Sequence, residues 1–186
     1  MHASIRAIAC AAVAVPLLAT AVPALAQPVG AGNGAALGAL TCLGTESVSY
    51  SPGITNTPQP VTFTTNDTFG PCLVPGQPTL TGGSATSTGQ AVKSCLELKP
   101  GTSPENLTAT YHWNDQTQSQ VQYSTLIILQ LPTGQIQIVQ EGTVQSGPGA
   151  GDIATETITL VSLDLTACET PQGLQTVAGP VTLAFL

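Results

Sequence analysis

The densest group of chemically active side chains lies in one short segment, residues 111–115. It reads Tyr111, His112, Trp113, Asn114 and Asp115. One interpretation is an exposed carbohydrate- or cell-wall-binding site, because aromatic rings stack on sugar rings while polar neighbours bind the hydroxyls. The other is the end of a strand, in which the two rings face the core, His112 faces outward and Asn114 and Asp115 begin a turn. The spacing favours the strand and leaves the binding site open.

Catalytic chemistry has less support. His112 is the one histidine beyond residue 26, and no Gly-x-Ser-x-Gly motif accompanies it for a Ser-His-Asp triad. Asp152 lacks the repeated acidic neighbours of a calcium loop. Carboxylate pairs for glycoside cleavage can be drawn from any ten scattered acids. The candidate acids for such a pair include Asp115, Glu141, Glu156 and Asp164. We therefore expect no enzyme, no cofactor and no metal site.

Four cysteines are spread through the chain beyond residue 26: Cys42, Cys72, Cys95 and Cys168. Four cysteines allow three pairings, and nearness in sequence favours Cys42 with Cys72 and Cys95 with Cys168. A zinc site has little support, since there is no Cys-x-x-Cys pair. We predict two disulfides, each stabilising the fold by about 2–4 kcal/mol. Disulfides also indicate an oxidising, exported location.

A second candidate site surrounds Cys72, in the proline-rich segment 69–76. A stiff, cysteine-tethered segment that exposes Leu73 and Val74 would suit a secreted protease inhibitor, because preorganisation lowers the entropy cost of binding. The same residues also suit an ordinary connection between strands, which is the commoner role of such a segment. Protease inhibition through Leu73 and Val74 is therefore an alternative function.

The chain begins with a predicted secretory signal peptide, residues 1–26. Arg6 precedes an apolar stretch, and Ala24 and Ala26 are the small residues that a signal peptidase requires. Cys10 would leave with this leader. Residues 27–40 are rich in glycine and alanine and predict a flexible arm, which leaves residues 41–186 as one disulfide-stapled domain. No later segment is long and apolar enough for a membrane-spanning helix. We expect a secreted, extracellular protein.

Charge excludes one class of partner. Beyond the leader, the chain carries two lysines and no arginine against ten acidic residues. Arginine is the usual residue for bidentate recognition of phosphates, and an acidic surface repels a nucleic-acid backbone. The sequence therefore predicts no nucleic-acid partner.

The elements that must position these residues are strands. Proline and glycine interrupt the domain at regular intervals, and apolar residues alternate between the turns. Pro132-Thr133-Gly134 predicts a hairpin with Ile136 and Ile138 inward. The alternating positions include Val121, Tyr123, Ile127, Leu129 and Leu131. We predict an all-β fold, an antiparallel immunoglobulin-like sandwich of about 7–9 strands, with a small β-barrel as the alternative.

Short turn-like motifs also follow one another along the domain at a familiar spacing. They are Cys42-Leu43-Gly44, Ser51-Pro52-Gly53, Trp113-Asn114-Asp115 with Ser119, Gly142-Thr143-Val144 with Ser146-Gly147, Gly151-Asp152, and Cys168 before Gly179-Pro180. Together they resemble small secreted β-sandwich proteins of actinobacteria, a functionally uncharacterised group. The resemblance implies no catalytic residue. We expect an exported, non-catalytic protein that binds an extracellular polysaccharide or protein, or forms part of the extracellular surface.

Overall fold

The computed structural model describes residues 39–160, 163 and 165–186. The predicted signal peptide and nearly all of the predicted arm lie outside the described residues, as does Asp164. Within the described part, no helix is long and apolar enough to cross a membrane.

The described chain is built mainly from strands, as its threonine-rich alternating segments predict. Two short 3-10 turns, Cys95–Leu98 and Leu165–Glu169, interrupt them. The strands are β1 (Leu40–Ile54), β2 (Gln59–Leu73), β3 (Gly83–Lys93), β4 (Gly101–Trp113), β5 (Gln118–Gln130), β6 (Ile136–Ser146), β7 (Ile153–Leu160) and β8 (Leu174–Phe185). Each strand pairs antiparallel with the next.

The sheet closes on itself into a barrel, so the predicted sandwich is wrong and the barrel alternative is correct. β1 pairs with β8 over most of its length, from Leu40 opposite Phe185 to Val48 opposite Val177. Closure leaves the first and last strands without a free edge. The apolar inner face of each strand is covered by strands on the opposite side of the barrel. A second sheet, as in a sandwich, is therefore not needed.

The hairpin predicted at residues 132–134 is confirmed. Gly134 has a φ of 85°, and its amide donates to the Leu131 carbonyl. The Leu131 amide donates in turn to Gln135. Ile136 is buried and Ile138 packs against the core, as the alternation requires.

The predicted face of β5 is correct only in its first half. Val121 and Tyr123 are fully buried, but a bulge between Tyr123 and Thr125 shifts the register against β6. An extra residue reverses which side chains face inward. Ile128 is consequently in the core, and Leu129 is exposed rather than inward.

Both favoured disulfides are present. Cys42–Cys72 joins the start of β1 to the end of β2. We call this end of the barrel, where β1 begins, the closed end. Cys95–Cys168 joins the two 3-10 turns at the opposite end, which we call the cavity end.

Candidate functional site

The aromatic pair of the first candidate site is buried at the closed end. Tyr111 is 0% and Trp113 3% exposed. Their rings stack with centroids 5.8 Å apart, and the Trp113 indole donates to Ser119 Oγ at 2.9 Å. Phe185 packs edge-on against both rings. The pair therefore offers no surface on which a sugar could stack, because the rings already form the core contacts that the strand interpretation predicted.

The polar neighbours of this pair maintain turns. His112 is exposed on the outer face of β4. The Asn114 side chain donates to the Thr79 carbonyl at 2.8 Å and accepts from two amides of the same connection. Asp115 accepts from the amide and hydroxyl of Thr117, which closes the turn before β5. Segment 111–115 thus splits between the core, the outer wall and two turns.

The Cys72 segment exposes one of its two predicted residues. Leu73 is 72% exposed, whereas Val74 is 8% exposed and belongs to the core. The Cys72 amide donates to the Thr81 carbonyl, and Leu73 lies opposite Thr41 in the β1–β2 ladder. Leu73 is therefore an outward side chain at the end of a paired strand.

A cavity of about 180 Å³ occupies the half of the barrel nearer the cavity end. Its walls combine apolar side chains with polar ones such as Tyr50, Thr65, Ser87 and Gln140. The apolar lining residues are Val48, Ile54, Phe63, Leu98, Leu107, Ala109, Leu126, Ile128, Ile138 and Ile158. Lys93, Glu97 and Glu105 also border it, and Glu97 is exposed. Charged residues at the border and apolar walls inside are typical of a small-molecule site.

Three carboxyl groups meet at the floor of this cavity, and we call them the carboxyl cluster: Glu46 on β1, Asp67 on β2 and Glu156 on β7. A carboxylate oxygen of each lies within 4.8 Å of the others. The residues are 9%, 7% and 4% exposed, respectively. Glu46 is directly opposite Asp67 in the β1–β2 ladder, so strand register brings these two together. Glu156 on β7 joins them because the barrel closes through β8, which pairs with both β7 and β1.

Two phenols lie beneath the carboxyl cluster. The Tyr111 hydroxyl donates to Glu156 Oε2 at 3.0 Å and lies 2.5 Å from the Tyr123 hydroxyl. Burial raises the pKa of both tyrosines well above the usual value, and the Glu156 charge adds to this effect. Both phenols therefore remain neutral and can donate hydrogen bonds.

Two oxygens of the carboxyl cluster have no hydrogen-bond partner, Asp67 Oδ1 and Glu156 Oε1. Both residues are more than nine-tenths buried and line the cavity. A buried acceptor without a partner costs about 1–3 kcal/mol, and more when it is charged. Most buried polar side-chain atoms in proteins have a hydrogen-bond partner, so two unpartnered oxygens in one cluster need an explanation.

Burial also controls the protonation of the carboxyl cluster. It raises the pKa of Glu46 to about 9, with further contributions from the nearby Glu156 and Asp67 charges. It raises that of Asp67 to about 7 and that of Glu156 to about 8, and in Glu156 the Asp67 charge adds to the rise. Near neutral pH the two glutamates therefore retain their protons, because burial disfavours the charged form of a carboxyl group.

The barrel wall is incomplete beside the cavity. β3 and β4 form three residue pairs, from Gly83 opposite Trp113 to Ala85 opposite Tyr111. Toward the cavity end the remainder of each strand pairs only with its other neighbour, β2 or β5, along the described residues. Ser87 on β3 and Leu107 on β4 line the cavity on either side of this seam.

In the sequence, Glu156 stands out only as one of several scattered acids, and Glu46 and Asp67 were not predicted as site residues. A signal was present, since Asp67 is in phase with Val61, Phe63 and Phe69 on the inward face of β2. An acid at an inward position of an alternating strand indicates a buried polar group. Which acids converge was not predictable, because they belong to β1, β2 and β7.

No protein-family model matches the chain, and comparisons with curated proteins and with solved structures gave no match. The resemblance to small secreted actinobacterial proteins therefore stays a prediction, and the cavity is the basis for assigning a function.

Proposed function

We propose that this protein is an exported, non-catalytic binding protein that takes one small, largely apolar ligand into its barrel. The observation that carries this proposal is the cavity of about 180 Å³, with its apolar walls and buried polar floor. The interior of an eight-stranded barrel is either filled by side chains or just wide enough for one small ligand. Here, aromatic rings fill the closed end, and the other half is hollow.

The seam between β3 and β4 supports the proposal because a ligand needs a route into the cavity. Separating two paired strands breaks the backbone hydrogen bonds of their ladder. Toward the cavity end, β3 and β4 share no such ladder along the described residues. We expect the ligand to enter there, past Ser87 and Leu107.

The cavity lining favours binding over catalysis, and the disulfides favour export from the cytoplasm. The lining serines, Ser87 and Ser94, have no histidine among the residues that line the cavity with them, and His112 is on the outer wall. A hydroxyl nucleophile needs an adjacent base. The two disulfides fit an oxidising compartment outside the cytoplasm.

The test is saturable uptake of a neutral apolar probe. N-phenylnaphthylamine fluoresces strongly when it leaves water, so its titration into the purified protein measures affinity and stoichiometry. We expect one probe per barrel. Ala109→Trp places an indole in the cavity and should abolish uptake, whereas Leu129→Trp, on the exposed outer wall, should leave it unchanged. Absence of saturable uptake, or equal uptake by Ala109→Trp, would overturn the proposal.

Leu73 favours a second candidate function, protease inhibition. Its side chain is 72% exposed, and it follows a disulfide-bonded cysteine. A rigid exposed side chain suits the specificity pocket of a protease. The test is inhibition of secreted serine proteases that accept leucine. Leu73→Asp is compared against Leu43→Asp, a change at another exposed leucine, on β1. Inhibition that is absent, or unchanged in Leu73→Asp, would exclude this role.

A further inference from the structure

The carboxyl cluster lacks an internal counter-charge. Among the described residues, the basic side chains are Lys93, Lys99 and His112. Lys93 forms an ion pair with Glu97 at 3.0 Å, while Lys99 and His112 are exposed. Buried acids in proteins are normally paired with a cation or bound to a metal. Without such a cation the two glutamates keep their protons, as described above. The described side chains offer no free cation that would let Glu46, Asp67 and Glu156 ionise together, so we look for that charge in a ligand.

The unpartnered oxygens show where that charge would bind. Asp67 Oδ1 and Glu156 Oε1 are buried acceptors without donors, on residues that line the floor of the cavity. The Tyr111 hydroxyl already donates to the other oxygen of Glu156, which keeps that side chain oriented. A donor at the floor of the cavity would satisfy both free oxygens together.

The surroundings distinguish an organic cation from a bare metal ion. Calcium takes six to eight oxygen ligands, and magnesium needs near-ideal octahedral geometry with several retained waters. The space above the carboxyl cluster is lined by hydrocarbon from Val48, Ile138 and Ile158, with Thr65 and Gln140 as further polar side chains, which is fewer oxygen ligands than a calcium ion takes. A primary ammonium has three N–H donors, one for each carboxyl group, and can carry an apolar body. The apolar body would then occupy the space between the walls.

We propose that the barrel binds a primary amine in its protonated form, with the ammonium group held by Glu46, Asp67 and Glu156 and the apolar body enclosed by the cavity walls. This inference rests on the proposed function and defines the ligand class. The ammonium completes the hydrogen bonds of the carboxyl cluster and neutralises it. Burial of the hydrocarbon supplies the remaining affinity.

The test uses three probes that share a six-carbon chain and differ in the head group: hexylamine, hexanol and hexanoic acid. Affinities are measured by competition with N-phenylnaphthylamine. We expect hexylamine to bind at least about tenfold more tightly than hexanol, because charge-assisted hydrogen bonds are the strong ones. Hexanoate should bind more weakly than hexanol, since it would bring a fourth carboxylate to the site.

The double variant Asp67→Asn with Glu156→Gln isolates the carboxyl cluster. Its affinity for hexylamine should fall to that for hexanol, while hexanol binding persists and shows that the cavity has folded. Glu141→Gln is the control for overall negative charge, because Glu141 is exposed on β6. It should keep the full preference for the amine.

The outcomes separate this inference from the proposed function. Hexanol binding without a preference for hexylamine overturns the amine assignment and leaves the small-ligand function intact. No binding of any probe, including N-phenylnaphthylamine, overturns both. A preference that survives in the double variant also overturns the assignment. Saturable calcium or manganese binding that is lost in the double variant, without a preference for the amine, would identify a metal site instead.

Discussion

Replacing Glu156 by glutamine should change how the stability of the protein depends on pH. Glu156 is 4% exposed and lies beside Tyr111 and Asp67. Burial raises its pKa from the ordinary value of 4.5 to about 8, and the Asp67 charge adds to the rise. Between these two values the folded state holds a proton that the unfolded state has lost. Stability therefore falls as pH rises through this window.

The magnitude follows from the two pKa values. One pKa unit corresponds to about 1.4 kcal/mol. For 4.5 in the unfolded and about 8 in the folded state, the contribution of Glu156 to the free energy of unfolding drops by about 2.5 kcal/mol between about pH 5 and about pH 7. The drop ends above the folded-state pKa. Glutamine does not titrate, and its amide oxygen still accepts from Tyr111, so Glu156→Gln removes this part of the slope.

The assay is urea unfolding at several pH values, because urea, unlike guanidinium chloride, does not screen charges. We expect the stability of the unmodified protein to decrease from about pH 5 to about pH 7, and that of Glu156→Gln to decrease less, by about 2.5 kcal/mol. Glu141→Gln, on the exposed face of β6, should retain the original slope. Equal pH slopes for the protein and Glu156→Gln would refute the reasoning.

Three further predictions concern the scaffold. Trp113 is the single tryptophan and is buried, so the fluorescence of the folded protein should be blue-shifted and resistant to iodide quenching; strong quenching would contradict the burial. Replacing Cys95 and Cys168 by serine opens a link across 73 residues and should lower the free energy of unfolding by about 4 kcal/mol, measured in urea; a change below about 1 kcal/mol would contradict the estimate. Gly142→Ala should lower stability by about 1–3 kcal/mol, because a Cβ there would lie 2.2 Å from the Gln122 carbonyl oxygen, and an unchanged melting temperature would contradict this clash.

Much of the local structure was readable from the sequence because it depends on short-range rules. Alternating residues placed Tyr111 and Trp113 on the inward face of one strand. Pro132 and Gly134 marked the hairpin between β5 and β6. The cysteine spacing favoured the two disulfides that form.

Two features of the fold were not readable in this way. The bulge after Tyr123 reverses the inward face of β5, and it depends on pairing with β6 rather than on the residues of β5 alone. The pairing of β1 with β8 makes the sheet a barrel. Alternation is the same in a sandwich and a barrel, so the pattern cannot distinguish them.

By itself, the sequence determined an all-β chain with inward aromatic residues, two stapling disulfides and an acidic, arginine-free composition. The tertiary structure alone decided that Glu46, Asp67 and Glu156 share the floor of one cavity. The physical reason is the distance along the chain over which each effect acts. Alternation and turn preference act over a few residues, whereas the distance between side chains on β1, β2 and β7 depends on register and closure around the whole barrel.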